Sequence, residues 1–203
     1  MIKVLKYSGN ISLKKLSNFL DSRKINNYKN TKLIMKIIND VKKNKLKAVI
    51  KYEKKFSKNS RVKPTKKEIN DSIKLLSPKV KRAIDFAFKR IFRFHLKQAQ
   101  IKNNFSYKDI YNNKVVYKTA PIESVAVYVP GNLPSTLLMN SIPAKIAKVK
   151  RIVLATPKIE GKLNPAVMYA AKKVGINEIY SMGGSQAIAS LVFLQKVKKI
   201  IGP

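Results

Sequence analysis

Apolar residues recur every three or four positions through the first part of the chain, to about residue 105, and this spacing predicts helices. Thr31 is placed to cap a helix over Leu33 to Lys43. Thr65-Lys66-Lys67-Glu68 has the form of a capping box, in which the Thr hydroxyl takes a free amide and the Glu side chain reaches back to the cap. Ser77 and Pro78 open the longest helix: Ser77 caps it, and Pro78 sits where a missing N–H costs nothing. Val80, Ile84, Ala87, Ile91 and Phe94 fall near one stripe of that helix and are expected to pack in the core, and Gln98 is the first polar residue on the stripe.

From Asn112 the pattern changes to short strands and helices. Val115 to Tyr117 and Ser124 to Val129 read as β segments rich in Val and Tyr. Ser135 to Ala147 reads as a helix, Arg151 to Ala155 as a buried strand, and Asn164-Pro165 as the start of a helix through Val174. Glu178 to Met182 is a further strand, Ser185 to Phe193 a helix and Val197 to Ile201 a last strand. This alternation implies right-handed crossovers and a parallel sheet with helices on both faces. The expected fold class is α/β: a helical amino-terminal region with part of the first domain over residues 1–118, then a Rossmann-like domain over residues 119–203.

In such a sheet ligands bind at the carboxyl ends of the strands, which singles out two turns. Pro130-Gly131-Asn132-Leu133-Pro134-Ser135-Thr136 follows Val129, and Gly183-Gly184-Ser185-Gln186 follows Met182. Each passes through glycine into a helix amino terminus, where free amides and the helix dipole suit phosphate. Neither is the Gly-x-Gly-x-x-Gly fingerprint, so spacing alone does not assign a cofactor.

Composition narrows the classes further. The 203 residues are 45% hydrophobic, enough for a core. No run of about 18 apolar residues is present, and Met1 to Ser8 lacks the apolar stretch of a signal peptide, so a soluble, cytoplasmic protein with no membrane partner is expected. The absence of cysteine removes disulfides, thiolate nucleophiles and Cys-ligated zinc. The net charge of +34 alone suggests a polyanionic partner. Yet only six of the 44 basic residues are arginine, the residue that base reading and phosphate clamping favour. Lys, Asn, Ile, Tyr and Phe share AT-rich codons, so genome composition accounts for the lysines and no specific nucleic-acid partner is expected. His95, the single histidine, is read as structural, with its ring packed against a neighbouring helix and one nitrogen bonded.

Longer motifs carry more. Tyr128-Val129-Pro130-Gly131 and then Pro134 to Lys145, reading Pro-Ser-Thr-Leu-Leu-Met-Asn-Ser-Ile-Pro-Ala-Lys, resemble the signature of the histidinol dehydrogenases. Asn164-Pro165-Ala166, Gly183 to Ala189 and Lys199 to Pro203 continue it in order. Ile91 to Gln98 looks like the family's Phe-His-x-x-Gln helix, and Ile34 to Phe56 is similar to its first helical hairpin. The resemblance implies an enzyme that oxidises L-histidinol to L-histidine through histidinaldehyde, in two hydride transfers to NAD, with zinc binding the substrate. It implies NAD binding by Tyr128 and Gln186, and by an asparagine expected just beyond Pro203. Zinc ligands and the acid/base pair would lie in a carboxyl-terminal half, so the chain is expected to be truncated, with no catalytic or metal residue of its own and no activity alone. A homodimer, or a complementing carboxyl-terminal chain, is the partner implied.

The sequence departs from that pattern at several turns. Asn132 and Leu133 replace a longer glycine-containing loop, Lys148 stands where the family has glycine, and Lys45-Leu46 replaces a Gly-Asp turn. A Gly-Thr segment is missing between Phe193 and Lys196. Glycine at such places permits backbone that other residues resist. Three readings stay open on sequence alone: a truncated or split dehydrogenase, a nonfunctional relic of one, and a basic nucleic-acid-binding protein.

Overall fold

The structure, a computed structural model, describes residues 10–22, 31–100 and 104–203. The reading of Met1 to Ser8 lies outside them. Two compact units divide the chain at residues 36 and 37. In the first, α1 (Asn10–Ser22) exposes Leu13, Leu16 and Leu20. The residues from Ile37 onward form the second.

Helix α2 (Thr31–Ser57) is interrupted at Lys45, whose φ of 51° and ψ of −132° are not helical, so it consists of two arms. Thr31, expected to cap α2, is its first helical residue, whereas the next two helices are capped as the local sequence predicts. Helix α3 (Lys66–Lys74) starts at Thr65, whose hydroxyl accepts from the Glu68 amide at 3.1 Å while Glu68 accepts from the Thr65 amide at 2.7 Å. Helix α4 (Pro78–Ala99) starts at Ser77, which accepts from the Val80 amide at 3.4 Å. Its buried stripe differs from the expected one: Ile84, Ala87, Phe88, Ile91 and Phe92 face inward, whereas Val80 and Phe94 are exposed. Phe94 lies ten positions after Ile84, which at about 100° per residue turns it roughly 80° off that face.

Strands β1 (Phe105–Lys108) and β2 (Lys114–Tyr117) form an antiparallel hairpin exposed on both faces, with Phe105 stacked on Tyr117 at 5.2 Å. Only β2 is predicted by the sequence. Asp109 builds the turn by accepting from the amides of Tyr111 and Asn113.

The remainder is the parallel sheet: β3 (Ser124–Tyr128), α5 (Pro134–Ile146), β4 (Arg151–Ala155), α6 (Pro165–Val174), β5 (Glu178–Tyr180), α7 (Gly184–Phe193) and β6 (Lys199–Ile201), in spatial order β5-β4-β3-β6. Side chains alternate across it. Val125, Val127 and Leu154 join α4, α5 and α6 in one buried layer, while Ala126, Val153 and Ala155 face α2 and α7 in the other. Each fully buried aliphatic side chain contributes about 1.5–3 kcal/mol, so the α/β layering has two apolar interfaces to hold it. Arg151 ties β4 to β5 through a forked pair with Glu178, at 2.7 and 2.8 Å, and donates to the Gln195 carbonyl at 2.7 Å. The guanidinium holds the Glu178 carboxyl below the usual range. Burial, and then the hydrogen bond to Glu178, push the Tyr180 hydroxyl up to about 12. Among the described residues no helix is long and apolar enough to cross a membrane.

Candidate functional site

The order of the sheet reverses beside β3. The chain steps outward from β3 to β4 to β5, with α5 and α6 on one face, then returns through α7 on the other face to lay β6 against the free side of β3. The connections change face beside β3, and the crevice at the carboxyl ends of the strands at such a reversal is where α/β sheets take ligands. Tyr128 ends β3 at that point, and Gly202 follows β6. The two backbones are close: a Cβ on Gly202 would lie 2.7 Å from the Tyr128 carbonyl oxygen, so only glycine fits.

Tyr128 crosses the crevice to the start of α7, where its hydroxyl accepts from the Gly184 amide at 3.2 Å. Gly184 has a φ of 60°, a left-handed conformation that glycine adopts without a Cβ penalty. Two residues on, Gln186 is buried, and its Nε2 donates to Glu53 Oε1 at 2.9 Å. The Gly183 amide donates to the same oxygen at 2.9 Å. Tyr128 and Gln186, the two candidate cofactor residues, therefore meet at one place, joined through Gly184.

Glu53 is the residue that sequence reasoning passes over. It lies four positions after Val49 on the buried face of α2, which also carries Val41, Ala48 and Tyr52, and it is fully buried. An acid on an apolar stripe, in a chain with only ten acidic residues, was the available signal. Its charge sits at the positive end of the α7 dipole, which favours a carboxylate there. Its other oxygen, Oε2, has no hydrogen-bond partner among the described residues. The segment after α2 fixes its approach: Asn59 Nδ2 donates to the Ser181 carbonyl at 2.6 Å, the Ser181 amide donates to the Val62 carbonyl at 2.6 Å, and the Ser181 hydroxyl donates to the Arg61 carbonyl at 2.9 Å.

This arrangement corrects the expectation of free amides at the α7 turn. The buried Gly183 amide is already taken by Glu53, because buried main-chain N–H groups need partners, and the exposed Gly184 amide is taken by Tyr128. The α5 turn differs. Leu133 caps α5 without a side-chain hydrogen bond, and Pro134 follows it in the first turn.

His95 stands elsewhere, on α4. Its Nδ1 lies 2.6 Å from Gln98 Oε1, its ring meets Phe94 edge-on at 5.1 Å, and it lines a cleft of about 420 Å³ with Thr119, Pro121 and Pro143. Among the described residues no group of three or more His, Cys, Asp or Glu side chains could hold a metal ion. Lys45, Lys148 and Lys196, at the turns where the sequence is expected to depart from the family pattern, have φ of 51°, 62° and 51°, values that favour glycine.

Comparison with known proteins agrees with these motifs. The profile of the family described as histidinol dehydrogenase matches residues 20–203. A histidinol dehydrogenase of Pelagibacter ubique is 50% identical over all of this chain and 49% of its own length. That of Saccharolobus solfataricus is 43% identical over 70% of this chain and 37% of its own. The crystal structure of histidinol dehydrogenase from Elizabethkingia anophelis superposes with a TM-score of 0.78 at 35% identity, covering 86% of this chain and 42% of that one. The chain thus spans about half the length, or less, of the relatives it matches.

Proposed function

The chain belongs to the histidinol dehydrogenase family, and we propose that it supplies the NAD-holding part of an enzyme that oxidises L-histidinol to L-histidine through histidinaldehyde. One observation carries the reading: Tyr128 and Gln186 come from distant strands and helices yet converge at the amino end of α7, beside the point where the sheet order reverses. The residues fit the cofactor. Tyr128 offers a flat apolar face with a hydroxyl, and Gln186 offers an amide whose orientation is fixed from behind. NAD, when bound, supplies the hydride acceptor. The protein's own share is to hold and orient it: Gly202 lets β6 lie close to Tyr128, and Gly184 passes the Tyr128 hydroxyl into the first turn of α7.

Zinc is handled otherwise. Among the described residues no group of three or more His, Cys, Asp or Glu side chains could hold it, so no step of the reaction is derived through it. A second copy of the chain, or a chain carrying the rest of the enzyme, is the partner this reading calls for.

The test is complementation. Mixing the chain with the carboxyl-terminal half of a relative should give histidinol-dependent NADH formation. Tyr128→Ala and Gln186→Ala should each weaken NAD binding by tenfold or more, on the order of 1.4 kcal/mol. Failure of every such mixture, with both halves folded, would sink the reading.

A further inference from the structure

We propose that Glu53 is a positioning residue that makes the amino end of α7 a seat for a ribose hydroxyl and closes it to phosphate. The inference rests on the assignment of Tyr128 and Gln186 to the cofactor and adds which part of a dinucleotide they receive.

Helix amino termini usually serve phosphates, because unpaired amides and the dipole meet the negative charge. Here that role is filled from within. Glu53 Oε1 accepts from both the Gly183 amide and Gln186 Nε2, each at 2.9 Å, and the Tyr128 hydroxyl accepts from the Gly184 amide. The carboxylate already neutralises the helix end. An arriving phosphate would find the first two amides occupied and a like charge behind them, and its unpartnered Oε2 is buried at the same place.

The same contacts set what remains to be recognised. A carboxylate has only acceptors, so the Gln186 amide must turn its Nε2 inward, and its Oε1 then lies against Gly184, 3.0 Å from where a Cβ would be. Gln186 thereby places an acceptor, Oε1, beside Gly184. Tyr128, whose oxygen accepts from Gly184, keeps its O–H to donate. One acceptor beside one donor matches a hydroxyl, which donates and accepts at once. A phosphate oxygen, which only accepts, finds no partner in Gln186 Oε1.

The experiment is a titration of the full, ¹⁵N-labelled chain, followed at the Gly183 and Gly184 amides and the Gln186 side-chain amide. Inorganic pyrophosphate should shift lysine-rich surface signals and leave these three unmoved. Adenosine, which carries a ribose without phosphate, should move the Gln186 signal. In Glu53→Gln, pyrophosphate should gain affinity at the glycine amides by roughly tenfold or more, since a like charge is removed. Pyrophosphate shifting those amides in the natural chain overturns the proposal, and so does Glu53→Gln without any gain. If Glu53→Gln does not fold, the contrast between pyrophosphate and adenosine in the natural chain decides alone. An NAD titration separates the two ideas: no NAD effect at Tyr128 or Gln186 defeats the cofactor reading, whereas exclusion of phosphate by Glu53 is read from pyrophosphate.

Discussion

The Tyr52 hydroxyl donates to the Asp40 carboxylate at 2.8 Å, although the two residues stand twelve positions apart, on the two arms of α2. In a straight helix twelve residues would separate them by about 18 Å. The chain therefore doubles back between them, and the reversal is at Lys45, with its φ of 51° and ψ of −132°. That region of backbone space belongs mainly to glycine and costs other residues about 1–3 kcal/mol. Lys45→Gly should raise stability by about 1 kcal/mol or more in denaturant unfolding, while Lys45→Ala should give no gain. Equal effects of the two would show that the lysine side chain, not the turn, sets the energy.

Asp40 itself makes this hairpin sensitive to acid. Hydrogen bonds from Asn44, Tyr52 and Lys51 hold its carboxyl at about 2, against an ordinary value of 3.8. A depressed folded-state value means that the stabilisation is complete above the ordinary value and is lost as pH falls through the folded one. Stability should therefore drop between about pH 4 and pH 2, and Asp40→Asn should remove that part of the drop. Unfolding curves across this range, with and without the substitution, make the comparison.

Helices α5 and α6 end in the same way with different residues. Val149 donates to the Ala144 carbonyl and Lys148 to that of Lys145, as Ile176 and Gly175 donate to those of Ala171 and Lys172. The left-handed residue is Lys148 in the first, at φ 62°, and Gly175 in the second, at φ 86°. This termination favours glycine by about 1 kcal/mol. Lys148→Gly should stabilise the chain by that amount, and Gly175→Ala should destabilise it by a similar one. Thermal melts that showed no effect of Lys148→Gly would mean the lysine gains a compensating contact.

How much of this was legible in the sequence follows from how far each signal travels. The Thr65-Glu68 box and the Asn164 cap act within four residues, so the pattern states them outright. The strand and helix alternation after Asn112 is likewise local. Strand β1 is not predicted, because its residues are exposed on both faces, leaving no buried periodicity to read. Tyr128 and Gln186 stood out only through family motifs, since a strand-end tyrosine and a glutamine in a helix's first turn are common. Glu53 could not be paired from sequence at all: its partner Gln186 is 133 residues away, and the sign of its role is a burial that only the fold supplies.

The same reasoning predicts what holds the crevice in shape. Gly202 has no alternative residue, because a Cβ there would meet both the carbonyl oxygen of Tyr128, at 2.7 Å, and its Cβ, at 3.1 Å. The first of these is backbone and cannot swing aside, so Gly202→Ala must push the end of β6 away from β3. Overpacking of this kind costs about 1–3 kcal/mol. The displaced residue is also the one whose hydroxyl meets the Gly184 amide, so the loss should reach the site as well. Gly202→Ala should lower the melting temperature and, at temperatures where the variant is folded, weaken NAD binding by about tenfold, the effect expected of Tyr128→Ala. The control is Gly161→Ala, where a Cβ meets nothing within 4 Å although φ is 76°. It should cost stability through the backbone alone and leave NAD binding unchanged. If Gly202→Ala lowered stability with NAD affinity intact, the contact between β6 and Tyr128 would be part of the core only, and the placement of the cofactor at that strand end would have to be given up.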